Sequence, residues 1–200
     1  MIVGAIATHY HWDHVGGKPP LPQNFGHSLR VPRIPGLLEL SQLAELEKGI
    51  FIHEHEEAKL AKGTGIAQDC LQCLQDGSKL FVSESIKLSF IHTPGHSPGG
   101  VCILVTDMGE EGKGSSTLLL SGDTLFPGSC GRTDLHDGDA MQMYDSLQNK
   151  LALLPDSLKV YPGHAYNGNH TTIAREKQFG LLSPISKTEW ANKMMPRSKL

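Results

Sequence analysis

The sequence predicts an α/β layered domain, and three observations carry that prediction. Short β-branched or apolar runs alternate with stretches of helical spacing, the order that lays helices over a sheet. The chain has 200 residues, of which 38% are hydrophobic and 20% charged, enough to bury a core in one domain. No internal repeat and no clear second domain interrupts the pattern.

The elements follow in order. Ile2 to Thr8 is a β-branched apolar run and reads as a buried strand that ends at His9. Between Lys18 and Pro35 lie Pro19, Pro20, Pro22, Pro32 and Pro35, which exclude regular structure. A loop of that length reads as a lid or binding loop, or as a tolerated surface insertion. Leu37 to Leu46 has helical spacing, and Gly49 to His53 looks like a strand. Glu54 to Lys62 and Ile66 to Gln75 look helical, separated by Gly63-Thr64-Gly65. Lys79 to Val82 and Ile86 to His92 read as a hairpin around Ser83-Glu84-Ser85, and Val101 to Thr106 as a third strand. Thr117 to Leu120 is a strand, Asp139 to Leu153 an amphipathic helix, and Leu158 to Tyr161 a further strand. A short helix capped by Thr or Asn covers Thr171 to Lys177. The domain is expected to run from 1 to 182, with 183–200 a loosely packed tail.

Composition excludes several classes. The formal net charge is −3, so no basic surplus points to a nucleic-acid backbone. Nowhere do 18 apolar residues run together, so no membrane-spanning helix is expected. The N-terminus lacks a basic n-region, which argues against a signal peptide. Four cysteines are too sparse for a disulfide scaffold, and a reduced intracellular setting is expected.

Histidine is the unusual count, at 11. Thr8-His9-Tyr10-His11-Trp12-Asp13-His14 packs three histidines and one aspartate into six positions just after a strand. An extended backbone sends His9, His11 and Asp13 to one side, and a turn there would aim His14 at a different point, so the cluster can serve two metal ions. Chance produces such a run with odds on the order of one in a thousand. Three later segments repeat one grammar of strand, tight turn and potential ligand. They end at His96 after Thr93-Pro94-Gly95, at Asp123 after Ser121-Gly122, and at His164 after Pro162-Gly163. Strand-end residues on short Gly/Pro turns are rigidly aimed, and strand ends are where open α/β sheets gather ligands. Imidazole suits zinc or iron, and a carboxylate can bridge, which makes Asp123 the natural bridging residue. Three or four protein ligands per ion leave a position for water, as in catalytic rather than structural sites.

These motifs resemble the metallo-β-lactamase superfamily over residues 1 to about 182. Within it, Ser121-Gly122-Asp123-Thr124-Leu125-Phe126, Gly128 to Asp134 and Tyr161-Pro162-Gly163-His164-Ala165-Tyr166 look like the glyoxalase II (hydroxyacylglutathione hydrolase) and persulfide dioxygenase branch. The resemblance implies an αβ/βα sandwich, short of the first N-terminal strands and of the helical C-terminal region of typical glyoxalase II. It implies that His9, His11 and His96 hold a first metal, Asp13, His14 and His164 a second, and that Asp123 bridges them. It matches Tyr166 to a tyrosine that contacts glutathione and Arg132 to a lysine with a similar task. Asp134 stands where glyoxalase II has a tyrosine.

The expected activity is hydrolysis of a thioester, by the resemblance a hydroxyacyl-glutathione, through a hydroxide bridging two divalent ions. Zinc is the expected metal, with iron as the alternative. Asp13 would accept the hydroxide's hydrogen bond, and Arg132 and Tyr166 would bind the body of the substrate. One alternative is a mononuclear iron persulfide dioxygenase using His9, His96 and Asp123. Another is a truncated, non-catalytic metal-binding module. The final Ser198-Lys199-Leu200 matches a peroxisomal address, which makes an import receptor an expected partner and opens CoA esters as alternative thioesters. Without that import the expected setting is cytoplasmic. Cys70 and Cys73, three apart, are expected as helix neighbours rather than a metal site, and His53-Glu54-His55-Glu56-Glu57 as a solvated helix start.

Overall fold

A computed structural model describes residues 2–19, 32–109 and 115–194. The chain divides into two compact units, Met1–Leu74 and Gln75–Leu200. Most of the proline-rich segment and the whole Ser198-Lys199-Leu200 motif lie outside the described residues.

The first unit holds a three-stranded parallel sheet of β1 (Ala5–Ile6), β2 (Ile50–His53) and β3 (Leu71–Leu74), in that order. Ala5 pairs with Ile50, and Ile50 with Leu71. Parallel neighbours need helical crossovers. Here they are α1 (Trp12–Val15) and α2 (Leu37–Ser41) between β1 and β2, and α3 (Glu57–Thr64) between β2 and β3. Ala7, Val15, Leu37, Ile50, Ile52, Leu60, Ile66 and Leu71 form its core. Gly17 and Ile34 exchange two backbone hydrogen bonds of 2.8 and 2.9 Å, which ties together the two ends of the proline-rich insertion.

The second unit holds a six-stranded sheet, β4 (Lys79–Phe81), β5 (Ile86–His92), β6 (Val101–Asp107), β7 (Ser116–Gly122), β8 (Lys159–Pro162) and β9 (Thr171–Thr172), in chain order. All neighbours are antiparallel except β7 and β8, which α4 (Ala140–Asn149) joins as a crossover. Asp139 caps α4 by accepting from the Met141 and Gln142 amides, which satisfies two of the helix's open N–H groups. Helices α5 (Ile173–Phe179) and α6 (Lys187–Met194) follow. The core combines Cys102, Leu119 and Val160 of the sheet with Met143, Leu147 and Trp190 of the helices.

Three local expectations need correction. Residues 66 to 75 are not one helix: a 3-10 turn over Gln68–Cys70 leads into strand β3. Leu71 and Leu74 are both buried while Gln72 and Cys73 between them are exposed, and pairing with β2 outweighs the helical spacing. Cys70 and Cys73 are therefore not neighbours on a helix face, and Cys73 hydrogen-bonds Glu57 instead, at 3.2 Å. The stretch after Ser183 is not loosely packed as far as Met194. Trp190 of α6 is 0% exposed, and its indole N–H donates to the Ala140 carbonyl at 2.7 Å. A buried indole needs such a partner, and the start of α4 supplies it. Glu56 is not solvated: it is 0% exposed and accepts a 2.6 Å hydrogen bond from the Tyr10 amide.

Candidate functional site

The candidate ligands gather at strand ends in each unit. In the first, the backbone leaves β1, stays extended through His11 and turns into α1 at Trp12. That turn folds the side chains of the motif back on one another. The His9 ring lies 4.7 Å from that of His11, edge-on, and 4.1 Å from that of His14. Asp13 stands beside His14, its Oδ2 4.0 Å from Nε2. His9 is buried and its Nδ1 is hydrogen-bonded to Thr8 Oγ1 at 3.2 Å. Glu56 holds the backbone between His9 and His11 through the Tyr10 amide. Four of the seven candidate ligands, His9, His11, Asp13 and His14, are thus brought together within this unit.

The second unit brings His96, Asp123 and His164 together. Asp123 follows the bulge at the end of β7, and Gly163, just before His164, donates to the Gly122 carbonyl at 2.8 Å. The His96 turn is pinned to α4 from two sides: Asp139 N donates to the Gly95 carbonyl at 2.7 Å, and Ser146 Oγ to the Pro94 carbonyl at 2.7 Å. Gly95 has φ +139°, and a Cβ there would stand 2.5 Å from the Met143 backbone, so this approach admits only glycine. Gly131 N donates to the Asp123 carbonyl at 2.8 Å. The Thr93 and Thr124 hydroxyls, both buried, bond each other at 2.9 Å and tie the turns after β5 and β7.

The imidazole orientations follow from these supports. His96 Nδ1–H donates to the Arg132 carbonyl at 2.8 Å, which leaves Nε2 as the ring's other donor atom. That Nε2 and the Nε2 of His164 each lie 3.5 Å from the same Asp123 oxygen, Oδ2. The spacing exceeds that of an ordinary N–H···O hydrogen bond. Two atoms each about 2.1 Å from a tetrahedral ion stand about 3.4 Å apart, so the donor set fits coordination of a divalent metal.

The two residues expected to bind substrate differ. Tyr166 is 69% exposed, its ring stacked on His164 at 5.1 Å and edge-on to Phe126 at 5.3 Å. Arg132 is exposed, and Asp134 takes its Nε and Nη2 in two 2.9 Å bonds. The hydrogen bond and charge of Arg132 hold the Asp134 carboxyl below its ordinary value and raise the guanidinium in turn. Burial pushes the thiol of Cys130, beside this loop, up to about 11.

Supports were harder to foresee than ligands. Glu176 is buried and accepts from Gly128 N at 3.0 Å and Thr171 Oγ1 at 2.7 Å, so it fixes the turn that follows Phe126. Neither Glu56 nor Glu176 stands out in the sequence, and an acid of each kind is ordinarily solvated. The spacing Gly131-Arg132 after Asp123 offered the one visible hint, since glycine there permits the loop to return onto the aspartate.

The family model of the metallo-beta-lactamase superfamily matches residues 1–164. The cytoplasmic hydroxyacylglutathione hydrolase of Arabidopsis thaliana is 30% identical over 169 residues, 84% of this chain and 52% of the relative. A metallo-beta-lactamase from Staphylococcus aureus superposes with a TM-score of 0.72 at 25% identity, covering 100% of this chain and 54% of that one. A protein called TTHA1623, solved in a di-iron-bound form, gives a TM-score of 0.62 at 26% identity, over 90% of this chain and 77% of its own. The chain spans about half the length of the hydroxyacylglutathione hydrolase it matches.

Proposed function

Since this chain belongs to the metallo-beta-lactamase superfamily, we propose that it is a thioester hydrolase using two divalent ions. His9, His11 and His96 would hold one ion, Asp13, His14 and His164 the other, and Asp123 would contribute to both. The observation that carries this reading is the placement of the His96 and His164 Nε2 atoms at one distance, 3.5 Å, from a single Asp123 oxygen. The set contains imidazoles and carboxylates and no thiolate, which suits zinc and accepts iron.

Ions held there supply an electrophile for a carbonyl oxygen and a nucleophilic water whose pKa falls toward neutrality. The protein's own residues do the rest. Asp13, exposed beside His14, accepts a hydrogen bond from the attacking water and sets its direction. The Arg132 carbonyl keeps His96 in the tautomer that presents Nε2. Tyr166, stacked on His164, lines the approach for the thiol half of the substrate, and Arg132 offers it the guanidinium edge that Asp134 leaves open. A thiolate is a good leaving group, so no separate general acid is required.

The substrate class we propose is a hydroxyacyl-glutathione, which the named activity of the Arabidopsis relative supports. The experiment is metal content per chain, followed by hydrolysis of lactoylglutathione by metal-loaded protein, His11→Ala and Asp123→Ala. The expected result is about two ions per chain and activity lost in both variants. Equal activity in the variants would overturn the reading. So would iron at one ion per chain with oxygen uptake on glutathione persulfide in place of hydrolysis.

A further inference from the structure

We infer that a cleft in the second unit, beyond Tyr166, binds a phosphorylated nucleotide, and that it receives the distal end of a nucleotide-bearing thioester of the coenzyme A type. The inference rests on the thioesterase reading and extends it to a second class of thiol carrier. The cleft has a volume of about 690 Å³, within the range of small-molecule sites. It begins one residue past Phe126 and one past Tyr166, at Pro127 and Asn167, so a ligand in it continues the surface that starts at His164.

Its walls are held in advance. Asn167 Nδ2 donates to the Pro127 carbonyl at 3.1 Å, joining the two sides of the entrance. Buried Glu176 fastens Gly128 from one direction and Thr171 from the other. A ligand therefore need not order these turns itself, which lowers the cost of binding.

Its lining selects for negative charge. Arg175 faces the cleft, and its guanidinium makes no hydrogen bond or ion pair among the described residues. Arg132, in contrast, has two of its donors occupied by Asp134. His170 also lines the cleft, with Nδ1–H donating to Asn169 Oδ1 at 2.7 Å. No acidic side chain lines it among the described residues. At the rim Phe179 is 74% exposed, an aromatic face without an aromatic packing partner among the described residues.

These features together discriminate between carriers. A phosphate monoester presents three oxygens and close to two charges, which a guanidinium fork and an imidazole from a second direction can meet. A purine ring has a face to lay on Phe179. The γ-glutamyl end of glutathione carries an ammonium group beside its carboxylate, and the cleft offers that ammonium no carboxylate.

The test is titration of the whole protein with adenosine 3′,5′-bisphosphate, followed by calorimetry and by amide shifts, with inorganic phosphate and glutathione as separate probes. The expected result is saturable binding of the bisphosphate that weakens at least tenfold in Arg175→Ala and several-fold in Phe179→Ala. Both side chains are exposed, so neither change should unfold the protein, and circular dichroism checks that. Steady-state assays on an acyl-CoA should show KM raised in Arg175→Ala, with KM for lactoylglutathione unmoved. Failure of the bisphosphate to bind, or equal binding by Arg175→Ala, would overturn the inference. Inorganic phosphate binding as tightly as the bisphosphate, or glutathione binding that depends on Arg175, would overturn the nucleotide assignment. Bisphosphate binding without hydrolysis of either thioester would leave the cleft standing and overturn the thioesterase instead.

Discussion

Replacing Gly131 with alanine strikes the candidate metal site without replacing a ligand. The added Cβ would stand 2.2 Å from the Asp123 carbonyl oxygen and 2.8 Å from both Cγ and Nδ1 of the His96 ring. A carbon and an oxygen need about 3.2 Å, so something must move by about 1 Å. The Asp123 carbonyl is held by the Gly131 amide at 2.8 Å, and the His96 ring by the Arg132 carbonyl at 2.8 Å, so neither yields freely. Overpacking of this kind costs ~1–3 kcal/mol of stability. Disturbing the support of a metal ligand typically costs about 10–100-fold in affinity or activity. The assay pairs urea denaturation of metal-free protein with metal affinity by chelator competition. A loss of at least tenfold in affinity, larger than stability alone explains, is expected. Gly63→Ala in α3 is the control, because its Cβ would meet nothing within 4 Å, and it should gain ~0.5–1 kcal/mol in helix stability. Unchanged affinity and stability in Gly131→Ala would refute the argument that this loop aims the site.

Other expectations follow from single contacts. Trp190→Ala should lower stability by ~3–5 kcal/mol in denaturant titrations, since it empties a core position and deprives the Ala140 carbonyl of its donor; a loss under 1 kcal/mol would mean that α6 is not part of the core. Glu56→Ala should cost ~1–3 kcal/mol by removing the buried carboxylate that accepts from the Tyr10 amide, and Glu56→Gln should recover part of it, as measured by urea midpoint. Burial first, then the hydrogen bond with Glu57, pushes the Cys73 thiol up to about 11. About one in a thousand Cys73 side chains is then thiolate at pH 8. Alkylation should climb about tenfold per pH unit through pH 10, and Glu57→Gln should speed it at pH 8. Asp134, whose carboxyl lies below its ordinary value, should lend the Arg132 loop a stabilisation present above the unfolded carboxyl pKa and lost as pH falls through the folded one. Asp134→Asn should remove that pH dependence from the amide shifts of residues 131–134.

The ligands were legible in the sequence because their chemistry is concentrated. Three imidazoles and a carboxylate in six positions, and three strand-turn-ligand repeats, need no distant partner to be noticed. Strands β5 and β6 were legible for a similar reason, because their apolar runs are long and a short turn joins β4 to β5. What remained hidden depends on distant partners. Glu56 meets Tyr10 across 46 residues, and Glu176 meets Gly128 across 48. Strand β3 has apolar residues at a spacing that a helix accommodates as well, and only its pairing with β2 decides. Helix α6 carries one fully buried residue, Trp190, among charged neighbours, which is too little for a periodic signal. The pairing of Arg132 with Asp134 was within reach, two residues apart, yet exposed pairs of that spacing form only in particular loops.

Trp190 has a further consequence when set beside Trp12. The chain holds two tryptophans, and each compact unit contains one of them. Trp12 sits inside the histidine motif as the first residue of α1, half-buried, while Trp190 is sealed in the core of the other unit. Intrinsic fluorescence therefore carries two separable signals, one sensitive to quenching beside the imidazoles and the other to the melting of α6. Phenylalanine replacements at either position would yield single-emitter proteins, through which the unfolding order of the halves could be timed without any added dye.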